Sequence, residues 1–191
     1  MLRRPNGYVG TNHETLGSDI LSVLDAVTLP EATLGINAAA ALQDIRADRW
    51  YPIATLIDLL DSIYARAGAL GLRRVGRAAF KRTHEATVMK TAKCARDIIY
   101  GIDGMYRGVN RGTAIGGWKV IHFSPGRAEI EKTTPHLCEL EEGILDAALK
   151  AVGAPSTIVQ RTCLRNGADR CVFEITSSVA DRYWSGDAKA T

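Results

Sequence analysis

Residues 135–177 read PHLCELEEGILDAALKAVGAPSTIVQRTCLRNGADRCVFEITS and contain three of the four cysteines of the 191-residue chain. The stretch begins with apolar residues at helical spacing over 140–152, which Gly153 and Pro155 bring to an end. Two strand-like runs follow, at 157–163 and 170–176. This succession of helix, strand and strand predicts the element around which the rest of the chain is arranged.

The two strand-like runs are joined through Asn166-Gly167. Both residues tolerate positive φ, so the pair predicts a β-hairpin. If the loop takes three residues, Cys163 lies across the ladder from Cys171, and cross-strand partners have Cβ atoms about 4.5–5.5 Å apart. Two thiols at that distance can share a metal ion, form a disulfide or pack against each other.

Composition and charge indicate an ordinary soluble globular protein. Hydrophobic residues make up 46% of the chain and charged residues 24%, and the net charge of +3 does not indicate a nucleic-acid partner. No apolar run reaches the ~18 residues of a membrane span, and the first residues lack the apolar region of a secretory signal. We therefore predict a cytoplasmic protein with reduced cysteines. It would have a tail at 1–11, one domain at 12–178 and a second tail at 179–191.

The rest of the chain divides into a helical half and a half with strands. Apolar periodicity predicts helices over 18–27, 35–47, 52–68, 72–82 and 88–105. Alternating residues then predict a strand over 115–123, and Pro125-Gly126 turns the chain into a returning strand over 127–133. Together with the final hairpin, this predicts an α+β domain in which an antiparallel sheet of about four strands is covered by helices.

The C-terminal motif resembles a known domain. Gly143 inside the apolar helix, Cys138 just before it, and Gln160-x-x-Cys163-x-x-x-Gly167-x-x-x-Cys171-x-Phe173 are similar to the V4R (4-vinyl reductase) domain. The similarity covers about residues 112–176. That domain shares a fold group with the ligand-binding region of bacterial phenol-sensing activators and with the Bet3-type subunits of the TRAPP vesicle-tethering complex.

The resemblance implies a homodimer with a structural zinc ion. In the phenol sensors, three cysteines and a glutamate hold the zinc, and the cysteines correspond to Cys138, Cys163 and Cys171. Gln160 stands at the position of the glutamate, and a neutral amide is a poorer zinc ligand. The fourth ligand would then come from another donor: His136, Glu139 or a water molecule. Two alternatives stay open, namely reduced thiols packed together and a disulfide between Cys163 and Cys171.

The resemblance also implies an apolar pocket, in which phenol sensors hold an aromatic hydroxyl with a histidine and a tryptophan. Trp118 lies near the tryptophan position of the family, and His84 and His122 are the histidines that could line a cavity. The pocket residues would be Ile98, Ile102, Met105, Tyr106, Trp118 and His122. Such a pocket favours a flat apolar ligand with one polar group. The alternatives are a core or interface role for Trp118 and a surface position for His122.

No catalytic motif accompanies these features. The chain has no glycine-rich nucleotide loop, nucleophile elbow or zinc-protease motif, so we do not expect an enzyme. The Tyr-x-Ser-x-Arg motif of the related haem nitric-oxide sensors is also absent, which argues against haem. We therefore predict a small-molecule sensor or carrier that acts as a homodimer through a partner protein. The alternatives are a Bet3-like adaptor and an accessory protein in tetrapyrrole 4-vinyl reduction.

Overall fold

The computed structural model describes residues 12–27, 30 and 42–186, which form an α+β fold with two antiparallel sheets. The helices are α1 (Gly17–Ala26), α2 (Ile53–Ala79), α3 (Glu85–Val88), α4 (Ala95–Val109), α5 (Cys138–Ala151) and α6 (Asp181–Trp184), with a π-helical turn at Phe80–His84 and a 3₁₀ turn at Leu164–Asn166. The strands are β1 (Glu14–Leu16), β2 (Trp50–Pro52), β3 (Asn110–Arg111), β4 (Trp118–Ser124), β5 (Arg127–Lys132), β6 (Thr157–Thr162) and β7 (Cys171–Thr176). The predicted class and the helical N-terminal half are confirmed.

The larger sheet contains the two predicted hairpins in the order β4-β5-β7-β6. Its two central strands, β5 and β7, come from different hairpins and pair along their whole length. Lys132 therefore sits between two neighbours, pairing with Trp118 on β4 and with Cys171 on β7. The sheet thus places a lysine beside a cysteine in the protein interior.

A second sheet was not predicted from the sequence. It has three short strands in the order β2-β1-β3. These strands contain only two or three residues each, too few to show the alternation by which a strand is recognised. The sheet joins the beginning of the described chain to the end of α4, where Thr15 donates a hydrogen bond to the carbonyl of Val109.

Helices α2 and α5 cross at very close range because each presents a glycine at the contact. A Cβ atom on Gly76 would lie 2.1 Å from the carbonyl oxygen of Leu140, and one on Gly143 would lie 2.2 Å from that of Arg73. Neither distance can accommodate a side chain. The glycine that the sequence pattern singled out in α5 is therefore required by helix packing.

Helix α2 spans the helix predicted over 52–68 and most of the one predicted over 72–82, and Gly68, with non-helical φ of 65° and ψ of −172°, kinks it at the predicted break. Two other helices differ from the prediction. The helix predicted over 88–105 is interrupted, because the Asp97 carboxylate accepts hydrogen bonds from the backbone of Lys93 and Cys94 and so caps a new start for α4. Of the helix predicted over 35–47, residues 35–41 lie outside the described residues, and 42–47 form turns.

The end of the described chain packs onto the larger sheet. Trp184 of α6 is fully buried and stacks on Phe123, with ring centroids 5.6 Å apart. Its indole nitrogen donates a hydrogen bond to the carbonyl of Ser124. Within the described ranges, none of the helices is both long and apolar enough to cross a membrane.

Candidate functional site

A large cavity lies between α4 and the chain segment that runs from the π-helical turn to residue 92. Its volume is about 790 Å³, and its walls are mostly apolar. Ile98, Ile102 and Met105, which the sequence analysis placed in a pocket, all line it. Cavities that bind small ligands commonly measure about 300–1,000 Å³, so this one has room for an organic ligand.

One wall of the large cavity is bare helix backbone. Gly101, Gly104 and Gly108 of α4 line the cavity, and a Cβ atom built on any of them would meet no heavy atom within 4 Å. Their spacing of three and four residues places them on one face of the helix. The space beside this helix face is open, and a flat molecule can lie against the face.

His84 brings an imidazole to the same cavity. It ends the π-helical turn Phe80–His84, a rare conformation that frequently lies at functional sites. The side chain is 12% exposed, and its Nε2 lies 3.7 Å from Oδ1 of Asp19 on α1. His84 is one of the two histidines considered for a cavity from the sequence, but its spacing does not match the histidine of the resembled family, so the predicted pocket does not include it.

A much smaller cavity of about 30 Å³ adjoins the large one. Tyr106, Trp118 and His136 line it, and four residues line both cavities: His84, Ile102, Met105 and Val109. The hydroxyl of Tyr106 donates a hydrogen bond to the carbonyl of Ile115, at 2.6 Å. Trp118 and Tyr106 thus border the small cavity, whereas the other predicted pocket residues of α4 reach the large one.

His122 lies away from both cavities. Its side chain is exposed and hydrogen-bonds to Ser124. A bulge between Val120 and His122 explains the difference, since an extra residue in one strand reverses the alternation that had placed His122 on the same face as Trp118. His122 is therefore a surface histidine, which was the alternative interpretation of the sequence.

The three cysteines of the C-terminal motif meet at one corner of the fold. The Sγ atom of Cys138 lies 3.2 Å from that of Cys171 and 3.9 Å from that of Cys163. All four cysteines of the chain are free thiols, so the alternative of a Cys163–Cys171 disulfide is not observed. Cys163 does not pair with Cys171 in the ladder, because a 3₁₀ turn follows it and Thr162 is the last paired residue of β6.

Lys132 completes this group of thiols, and the sequence analysis missed it. The side chain is buried, and its Nζ lies 3.5 Å from Sγ of Cys138. Burial alone would lower the pKa of Lys132, but the surrounding thiols and Glu141 raise it above its usual value. The hydrogen bond from Cys138, opposed by burial and assisted by Lys132, lowers the pKa of the Cys171 thiol to about 7. The arrangement therefore favours one thiolate next to one ammonium group.

The predicted fourth ligands differ in their position. Gln160 directs its amide nitrogen to the carbonyl of Thr162, beside a bulge in β6, and its side chain also hydrogen-bonds to the Cys163 thiol. His136 instead directs Nδ1 to Oε1 of Glu141, at 3.1 Å. Among the described histidine, cysteine, aspartate and glutamate side chains, the three thiols form the group whose donor atoms are close enough to share a metal, and neither His136 nor Glu139 belongs to it.

Comparisons with solved structures identify the fold. An H-NOX protein from S. oneidensis in the Fe(II)NO state aligns with a TM-score of 0.66 and 16% identity over 86% of this chain and 99% of its own. An unliganded Fe(II) H-NOX protein from K. algicida gives 0.65 and 12% over 86% and 97%. An oxygen-binding H-NOX domain related to soluble guanylate cyclases gives 0.62 and 11% over 85% and 93%. No protein-family model and no curated protein sequence matches the chain.

These comparisons correct the sequence-based assignment. The resemblance to V4R domains, phenol sensors and Bet3-type TRAPP subunits is wrong, because the matching structures are H-NOX (haem–nitric oxide/oxygen binding) domains. The functions derived from it, a phenol-type apolar-pocket sensor with zinc and a TRAPP-like adaptor, are withdrawn with it. The resemblance rested on one helix and one hairpin, which do not specify how the remaining helices pack.

The zinc prediction is corrected as well. The matching structures are described by the state of their iron, and zinc is not part of those descriptions. In this chain, the ammonium group of Lys132 already places a positive charge beside the thiols. A cation placed among these sulfurs would be repelled by the buried ammonium group. At 11–16% identity, the three structures described above show the fold alone, and the chain has the fold of H-NOX domains.

Proposed function

We propose that this chain is a sensor domain that binds haem in the large cavity, with His84 as the ligand of the iron. The observation that carries the proposal is the imidazole of His84 at the wall of an apolar cavity of about 790 Å³. Histidine is a common axial ligand of haem iron in proteins. Bound haem would supply an iron atom at which a diatomic gas can bind.

The residues around the cavity fit such a group in two respects. The bare face of α4 at Gly101, Gly104 and Gly108 accommodates a flat ring system. Oδ1 of Asp19 lies 3.7 Å from Nε2 of His84, and histidines that bind metals commonly have a carboxylate partner on the other ring nitrogen.

The sequence departs from the haem sensors in one respect. The chain lacks their Tyr-x-Ser-x-Arg motif, so the residues that contact the propionates would differ from theirs. In this proposal, His84 binds the iron, Asp19 orients the imidazole, and the apolar side chains of α4 exclude water from the ring. A change at the iron would reach α1 through the contact between His84 and Asp19.

Titration of the purified protein with hemin tests the proposal. We expect a Soret band that saturates at one hemin per chain. His84→Ala should shift this band or weaken binding by about tenfold or more, a loss of about 1.4 kcal/mol, and added imidazole should restore the band. His122→Ala is the matched control, because this histidine is exposed and lines neither cavity. The proposal fails if hemin does not bind, or if both variants bind it as the wild type does.

The homodimer and the protein partner stay predictions. A sensor domain needs a second component to receive its signal, and nothing among the described contacts identifies that component. Native mass spectrometry of the purified protein, with and without hemin, measures the mass of the assembly and the number of bound molecules together.

A further inference from the structure

Three buried polar atoms without a hydrogen-bond partner belong to residues that line the small cavity. They are Nε1 of Trp118, Nε2 of His136 and Oδ1 of Asn110. These side chains are 8%, 5% and 2% exposed. Buried polar groups in native proteins are almost always paired, and each unpaired group costs free energy. Three such atoms around one cavity indicate that a further molecule satisfies them.

The hydrogen bonds of these side chains determine what that molecule must offer. The indole nitrogen of Trp118 can only donate. Asn110 uses its Nδ2 to donate to the carbonyl of Tyr106, at 3.0 Å, so its Oδ1 is an acceptor. His136 faces the Glu141 carboxylate with Nδ1, which therefore carries the proton, and its Nε2 is an acceptor in the neutral ring. These three unpaired atoms thus comprise one donor and two acceptors.

The volume limits the occupant further. The cavity measures about 30 Å³, and a site for one water molecule needs roughly 10–15 Å³ of such volume. A carboxylate or phosphate is excluded on chemical grounds too, because it cannot donate to Asn110 and His136. An oxygen that both donates and accepts matches the cavity in size and in hydrogen bonding.

We propose that the small cavity is a binding site for a water molecule, held by Trp118, Asn110 and His136. Water can donate to both Oδ1 of Asn110 and Nε2 of His136 while it accepts from Nε1 of Trp118. An alcohol hydroxyl has a single hydrogen and can donate to only one of the two acceptors. The proposal does not depend on haem binding.

Nuclear magnetic resonance of the wild-type protein tests this site at the indole groups. The chain has three tryptophans, which allows their indole signals to be assigned with single Trp→Phe variants. We expect the indole proton of Trp118 to show a cross-peak to a long-lived water, whose sign in NOE and ROE spectra distinguishes contact from proton exchange. Trp184 is the matched control, since it is also buried but donates to the carbonyl of Ser124. It should show no such cross-peak.

Two further measurements test the occupant and exclude a relay. With 1-butanol added, the water cross-peak of the Trp118 indole should stay unchanged, because an alcohol hydroxyl can donate only one of the two hydrogen bonds. Tyr106→Phe removes the phenolic hydroxyl in the cavity lining, and the cross-peak should persist in this variant. The proposal is overturned if Trp118 shows no water contact, if a cross-peak to the carbon-bound protons of butanol replaces it, or if the water signal disappears in Tyr106→Phe.

Discussion

The ammonium group of Lys132 lies 3.5 Å from the sulfur of Cys138, and both side chains are buried in the core. Lys132 also donates a hydrogen bond to the carbonyl of His136, at 2.6 Å. Burying a charge is costly unless it is paired, and the groups that pair with Lys132 are the thiols of Cys138 and Cys171 and the carboxylate of Glu141. The hydrogen bond from Cys138, opposed by burial and assisted by Lys132, lowers the pKa of Cys171 to about 7.

Replacement of Lys132 tests this electrostatic coupling. Lys132→Met keeps much of the volume and removes the charge, so the pKa of Cys171 should rise by about one unit or more. The titration of cysteine ¹³Cβ resonances measures the change. Lys150→Met is the control, because that lysine pairs with Asp146 on the exposed side of α5. Equal pKa values of Cys171 in the two variants would contradict the coupling.

The stability of the protein should depend on pH through Cys171. Its pKa is about 7 in the folded protein and 9.0 for an ordinary thiol, so the folded state binds fewer protons between these values. This contribution is complete above about pH 9 and is lost as the pH falls towards 7. The melting temperature of the wild type, relative to Cys171→Ala, should therefore increase from pH 7 to 9 under reducing conditions. Cys94→Ala, outside the thiol group, should show no such trend relative to the wild type.

The crossing of α2 and α5 makes Gly143 sensitive to substitution. Gly143→Ala would place a Cβ atom 2.2 Å from the backbone carbonyl of Arg73, and overpacking of this kind costs about 1–3 kcal/mol. Gly104→Ala is the control, because its Cβ atom meets nothing within 4 Å. Alanine is a better helix former than glycine by roughly 1 kcal/mol, so this variant should gain stability. Denaturation in urea measures both, and a neutral Gly143→Ala would show that the helices separate easily.

A larger residue at position 104 should close the large cavity. The Leu side chain of Gly104→Leu would project into the space that Gly104 lines, without a clash at its Cβ. Under the proposed function, hemin affinity should fall by about tenfold or more while the free energy of unfolding does not decrease. Absorbance titration and urea denaturation provide the two measurements, with Gly104→Ala as the comparison. Unchanged affinity in Gly104→Leu would place hemin elsewhere.

A buried ion pair attaches the final hairpin to α2. Nη1 of Arg165 lies 2.9 Å from Oδ1 of Asp61, and the Arg165 side chain is only 5% exposed. Hydrogen bonds to charged groups contribute about 1.5–3 kcal/mol, so Arg165→Met should lose a similar amount of stability. Arg170→Met removes an arginine whose side chain is 59% exposed and pairs with Glu131, and such surface pairs contribute about 0–1 kcal/mol. Similar losses in urea denaturation would contradict this ranking.

Local sequence patterns were enough to predict the elements whose side chains follow a regular spacing. The hairpins β4–β5 and β6–β7 and the helix α5 were predicted because alternation, helical spacing and turn residues act over a few positions. The position of the lining residues Ile98, Ile102 and Met105 on one helix could also be predicted. The similarity of the cysteine spacing to V4R domains was a poorer guide, since it reported one hairpin and not the packing of the whole domain.

Which functional groups come together depends on long-range packing. In the sequence, Lys132 is an ordinary charged residue of a predicted strand. The pairing of β5 with β7 places it beside the thiols. His84 lines the large cavity because it lies at the end of a π-helical turn. His122 faces solvent because of a bulge in β4. These outcomes depend on contacts between residues far apart in the chain, and such contacts leave no periodic pattern in the sequence.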